Sequence, residues 1–272
     1  MGRAPPAGDD PTGEDSVTTD RPPAVAGAFY PADPAELAST VDKLLDTVDV
    51  PDDDELAKAY VVPHAGYRYS GSTAAHVYAR LRRHAVHIGR IVLVGPAHRV
   101  RLTGCAAPTT ARWLTPLGPV TIERARDIEG LTADDAPHAP EHSLEVQLPF
   151  LQRAVPGVPV LPIAVGVSTV ELVADVVGAA APGAVVLCST DLSHYQPDAQ
   201  ARQQDERTAR AVEALRPDLI GVRDACGVFA LRGTVEWARR AGLRPSRLAL
   251  TTSADSGGDP GRVVGYPAFS FA

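Results

Sequence analysis

The strongest constraint on this chain is a set of short, continuous Val/Ile/Leu-rich runs: "AYVVP" (59–63), "RIVLVGP" (90–96), "PVLPIAVG" (159–166) and "AVVLCST" (184–190). Such a run has no alternating polar positions, so as a strand it must be covered on both faces. Parallel strands with helices packed above and below meet that condition. Stretches at 72–83, 141–155, 168–181 and 199–215 carry apolar residues at helical spacing and are expected to supply the cover. The final segment, "RLALTTSADSGGDPGRVVGYPAFSFA", reads as two strands joined by a Gly/Asp/Pro-rich turn, antiparallel at the sheet edge or beside its centre. The expectation is a single α/β domain with a mixed, largely parallel central sheet flanked by helices.

With 272 residues, 44% of them hydrophobic, the chain can bury the core of one such domain. Residues 1–20, "MGRAPPAGDDPTGEDSVTTD", hold almost nothing to bury and read as a disordered tail, leaving 21–272 as the domain. In "PADPAELASTVDKLL", Asp33 is placed to cap a helix whose Leu37, Val41, Leu44 and Leu45 recur on one face. A net charge of −7 gives no electrostatic reason to expect nucleic acid or an anionic membrane as partner. No apolar run reaches about 18 residues and no signal-peptide pattern is present, so a cytoplasmic protein is expected. The three cysteines, Cys105, Cys188 and Cys226, are odd in number and lack CxxC spacing, which argues against a disulfide framework or a zinc finger.

Three of the expected strands run into a histidine: "VVPHAGY" gives His64, "VLVGPAHR" gives His98, and "VLCSTDLSHY" gives Asp191 and His194. Open α/β sheets bind ligands beyond the carboxyl ends of their strands, so these side chains are candidates for one site. His76, His84, His87 and His138 look instead like ordinary surface or loop residues. In "EHSLEVQLPFL", Glu141, His142 and Glu145 are spaced to lie along one side of the first turns of a helix; the glutamates would suit its positive end, which does not account for His142. Cys226, in "RDACGVFAL", precedes a helical run, where the helix terminus lowers a thiol pKa and favours the thiolate needed for metal ligation or nucleophilic work; Cys105 and Cys188 read as small buried hydrophobes.

In order along the chain, "AGAFYP", "PHAGYRYSG", "GPAHR", "EHSLEVQLPFL", "STDLSHY" and "ACG" resemble the MEMO family, which is similar in fold to the class III extradiol (LigB-like) non-haem iron dioxygenases. In bacteria such proteins are often labelled the B component of the AmmeMemoRadiSam system. The resemblance implies a radical-SAM protein and an AMMECR-domain protein as partners, and a small-molecule or peptide ligand in the cleft. It also implies His64, His98 and Cys226 as metal ligands, His194 as the acid/base group, and His142 beside bound substrate and dioxygen. Asp191 would orient His194 or a bound water. Where the dioxygenases use a glutamate as third ligand, the matching residue here is a cysteine.

A thiolate is softer than a carboxylate, so this set suits Fe(II) but also copper or zinc. Iron or copper implies an oxidoreductase. Zinc, which has no accessible second oxidation state, implies hydrolysis at most. A non-catalytic protein that keeps the cleft to bind a metal or a partner stands beside both.

Overall fold

The computed structural model describes residues 20–125 and 127–272. The tail expected over 1–20 lies outside them except for Asp20, whose carboxylate takes two hydrogen bonds from Arg112. No described helix is long and apolar enough to cross a membrane.

The four apolar runs form strands β1 (Ala59–Val62), β2 (Ile91–Pro96), β7 (Val160–Val165) and β8 (Val185–Ser189), all buried throughout. They pair in parallel in the order β1, β8, β2, β7, as the expected fold requires. The two C-terminal strands, β10 (Pro245–Thr252) and β11 (Val263–Phe271), are antiparallel, and β11 pairs with β1, so the hairpin forms one edge of the sheet. On the other side β3 (Cys105–Ala107) and β6 (Leu131–Ala133) continue it, while β9 (His194–Gln196) pairs with β11. A separate hairpin joins β4 (Arg112–Thr115) and β5 (Gly118–Thr121).

Alternate residues of the central strands feed two cores. Tyr60, Val62, Ile91 and Leu93 pack on one face against α1 (Pro34–Asp46), α2 (Tyr67–Arg83) and α3 (Leu148–Ala154). Ala59, Val61, Val92 and Val94 pack on the other against α4 (Val170–Ala180), α5 (Asp198–Glu213) and α6 (Val228–Arg240). The domain is thus a sheet between two helical layers, each anchored by about 25 cal/mol for every Å² of apolar surface removed from water. Asp33 caps α1 as expected, its Oδ1 accepting from the Glu36 amide at 2.9 Å.

Two helices differ from expectation. α2 begins at Tyr67, not Ser72, so the "YRYSG" stretch is helical. The segment 141–155 is not one helix: a turn and a short 3-10 segment, Glu145–Gln147, precede α3. Glu141 and His142 therefore lie in a loop that crosses the carboxyl end of the sheet. Gly95 makes room for this crossing, since a Cβ there would stand 2.9 Å from the Leu144 side chain and 3.2 Å from Ser189.

Candidate metal centre

The loops beyond β1, β2 and β8 converge, and backbone pairing sets their positions. His64 sits two residues past β1, where its amide donates to Asp191 Oδ1 at 2.8 Å. Its ring is buried, with Nδ1 2.9 Å from Ser189 Oγ. That hydroxyl donates to the Ser143 carbonyl at 2.7 Å and accepts from Gln147 Nε2 at 2.8 Å. Gln147 is itself oriented, because Tyr78 donates to its Oε1 and its Nε2 donates to the Pro63 carbonyl. A serine hydroxyl has one proton, here committed to Ser143, so His64 Nδ1 must be the donor. The lone pair is left on Nε2, which stands 3.2 Å from Cys226 Sγ. Burial, then the neighbouring His98 and His142, hold the His64 pKa well below its ordinary value, so the ring is neutral.

His98, two residues past β2, is held by Glu141. The carboxylate accepts from the His98 amide and lies 3.0 Å from its Nδ1, and it also accepts the amides of His142 and Ser143, both at 2.9 Å. Facing an acceptor, Nδ1 of His98 carries the proton and Nε2 presents the lone pair. His142 Nδ1 is 3.1 Å from the same carboxylate oxygen, off the hydrogen-bonding direction, and is buried without a partner. Burial alone would raise the Glu141 pKa. The His142 and His98 imidazoles and the Ser143 amide outweigh it and hold the carboxyl far below the usual range.

Cys226 hangs from the turn before α6, its amide bonded to the Asp191 carbonyl at 3.1 Å and its Sγ accepting the Asp191 amide at 3.3 Å. The lowered thiol pKa expected at a helix start is not found. Burial, then the charge of Asp191, push the thiol strongly up and outweigh the opposing hydrogen bonds from the Asp191 amide, the Thr190 hydroxyl and the Gly227 amide. A metal would have to displace the thiol proton on binding.

The ligand atoms of His64, His98 and Cys226 lie within 4.8 Å of one another. The imidazoles of His64, His98 and His142 form one cluster, with centroids 4.8–5.5 Å apart. His98, Glu141 and His142 form a second group of the same spread, but its carboxylate is already committed to the His98 ring and to the His98, His142 and Ser143 amides.

His194 stands at the start of β9 with Nδ1 2.8 Å from the Leu192 carbonyl, an acceptor only, so its Nε2 also carries the lone pair. Asp191, expected to orient His194 or a bound water, accepts the His64 amide at its Oδ1, and burial raises its pKa. His142 packs its ring against Phe29, with centroids 4.8 Å apart. All six expected site residues line one cleft of about 740 Å³, together with Tyr69, Tyr195 and Tyr266. Tyr67 does not reach it, being buried with its hydroxyl on the Val146 carbonyl.

Sequence reasoning missed Glu141, Ser189 and Gln147 as orienting groups. The one local signal was Glu141 directly preceding His142. His138 is no surface histidine either; it is buried beside Trp113, with Nε2 bonded to the Ala106 carbonyl. Cys105 and Cys188 are buried as expected.

The Memo-like protein family matches residues 21–270. A MEMO1 family protein of Aeropyrum pernix is 35% identical, over 91% of this chain and 98% of its own length. One of Methanopyrus kandleri is 34% identical over 93% and 99%, and one of Aquifex aeolicus 36% identical over 90% and 97%.

Proposed function

The chain belongs to the Memo-like family, and from that premise we propose that it is a mononuclear metal oxidoreductase related to the extradiol dioxygenases. His64, His98 and Cys226 hold the ion, iron(II) in the first place, with copper as the other redox-active choice. The observation that carries this reading is the treatment of the two ligand histidines. Each has its outer nitrogen tied to a fixed protein group, and His64 directs its lone pair at Cys226, the pattern by which proteins orient metal-bound imidazoles.

When bound, such a metal supplies Lewis acidity and one-electron chemistry. The chain supplies the rest. His194 Nε2 accepts a proton from a hydroxyl in the cleft, and its Nδ1–H bond to Leu192 steadies the charged ring that results. His142 polarises an oxygen atom of the bound ligand, and Phe29 and Tyr266 keep bulk water from one side of the cleft. The radical-SAM and AMMECR-domain partners form part of the same proposal, tested by co-purification with the tagged chain.

Metal content of anaerobically purified protein tests the site. About one iron per chain is expected in the wild type, with most of it lost in His64→Ala and in His98→Ala while the circular dichroism is unchanged. Undiminished metal in both variants overturns the ligand set, and stoichiometric zinc in place of iron turns the reading to hydrolysis. His194→Ala is expected to keep the metal and abolish turnover.

A further inference from the structure

We infer that Gln204 and Asp205, adjacent residues of α5 that do not line the cleft, are the positioning residues of His194. Together they hold the turn that carries it in a strained form, with the imidazole directed into the cleft. This rests on His194 being the proton acceptor of the site.

The first ground is the strain itself. His194 and Gln196 pair with Val264 and Val263, which are adjacent, so Tyr195 between them is the extra residue of a bulge. Its φ of 60° is a left-handed backbone, which costs energy in any residue with a Cβ. His194 is thereby half-buried in the cleft, while Tyr195 is left 62% exposed. A conformation of this kind persists only where its surroundings impose it.

The second ground is what imposes it. Asp205 is buried, its Oδ1 accepting the Ser193 amide and its Oδ2 the Ser193 hydroxyl, both at 2.9 Å. Gly265 on β11 lets the carboxylate reach, since a Cβ there would overlap it. From the other side the Leu192 amide donates to the Gly265 carbonyl at 2.8 Å, and the Gly265 amide to that of Ser193 at 2.9 Å. These bonds place the Leu192 carbonyl on which His194 Nδ1 rests. Beyond Tyr195, Gln196 Nε2 donates to Gln204 Oε1 at 2.6 Å. Gln204 is fixed in turn, its Nε2 donating to the Arg223 carbonyl at 2.9 Å and to Asp224 Oδ1 at 3.0 Å. α5 thus grips the chain on both sides of the strained residue.

The third ground is the choice of a carboxylate. Among the described residues no cation pairs with Asp205, and its carboxylate takes no bond except those from Ser193. An acceptor-only group dictates the direction of the Ser193 hydroxyl as well as of its amide. The residue before His194 is left no freedom.

The test reads the His194 ring by NMR in the metal-free full chain, isotope-labelled on its histidines, with the signal identified by its loss in His194→Ala. The wild type is expected to show one form, protonated on Nδ1, and Asp205→Asn, which keeps both bonds to Ser193, the same form. Asp205→Ala, Ser193→Ala and Gln204→Ala should each give mixed tautomers or a broadened signal. Should Asp205→Ala not fold, the other two carry the test. Val212→Ala, which loosens the buried side of α5 away from the turn, should leave the signal single. A second measurement reads the strain. Tyr195→Gly is expected to have a higher urea midpoint than Tyr195→Ala, and the difference should disappear when each is combined with Gln204→Ala. A wild type of mixed form, a signal that stays single in Ser193→Ala and Gln204→Ala, equal broadening in Val212→Ala, or a Gly–Ala difference indifferent to Gln204 overturns the assignment. Metal plays no part in these readings, so the inference and its premise fail separately. Turnover that survives in iron-loaded His194→Ala removes the acceptor role and leaves the grip on the turn standing, and an unaltered His194 signal does the reverse.

Discussion

Glu141 and Glu145 are four residues apart, both buried, and both saturated with hydrogen bonds, yet they serve different ends. Glu145 takes every bond from residues 21–30: Arg21 Nη1 at 2.6 Å, the Ala24 and Val25 amides at 2.7 and 3.0 Å, and the Tyr30 hydroxyl at 2.6 Å. It clasps the N-terminal segment to the body of the domain. Glu141 takes its bonds from His98, His142 and Ser143, beneath the two histidines that line the cleft. The donors around a buried carboxylate, more than its depth, decide whether it holds a fold together or prepares a site.

If that contrast is right, the two should fail differently. Glu145→Ala leaves the Arg21 guanidinium buried and uncompensated and is expected to cost about 3–5 kcal/mol. Urea unfolding checks it, and an unchanged midpoint would break the comparison. Should the variant not fold, Arg21→Met/Glu145→Leu is expected to restore a cooperative transition. Glu141→Gln removes the charge that orients His98, and metal affinity is expected to fall by about 10- to 100-fold. Competition with a chelator of known affinity measures that fall, and undiminished affinity would make Glu141 a purely structural residue like its neighbour.

Asp205 sharpens the contrast from a third side. It is as buried as the two glutamates, but both its bonds come from Ser193, and burial raises its pKa to about 6. Between about pH 4, where the carboxyl ionises in the unfolded chain, and pH 6, the folded state binds the extra proton, so stability falls as pH rises through that window. Asn keeps both bonds to Ser193 without the charge. Asp205→Asn is expected to match the wild type near pH 4 and exceed it by about 1–2 kcal/mol at pH 7. Parallel denaturation curves for both proteins at the two pH values would expose a constant difference, the result that excludes this account.

Much of this was readable in the sequence because it depends on contiguous residues. The four central strands are uninterrupted apolar runs, and His64, His98 and His194 follow strand ends. Strands β3, β6 and β9 were not readable, since three residues are too few to show a period and several of their positions face solvent. The start of α2 was hidden because "YRYSG" contains turn residues that packing overrides. Glu141 was hidden for a deeper reason. Its bonds reach 43 residues back to His98, and apart from its place directly before His142 nothing local distinguishes it from Glu145, whose partners lie more than 110 residues away. The surroundings of Cys226 and His138 are likewise set by segments far off in sequence, Asp191 against the first and Ala106 against the second.

The place of β1 has a consequence for how the molecule is made. It precedes every other described strand in the chain, yet its two neighbours are β8 and β11, the second beginning at Val263. A nascent chain therefore carries an apolar strand with both edges open through most of its synthesis. Such distant pairing makes folding slow and leaves the edge free to join another chain meanwhile. Chains shortened before Val263 are the ones that should collect in aggregates, with the ligands His64, His98 and Cys226 all present and the sheet that brings them together still unclosed.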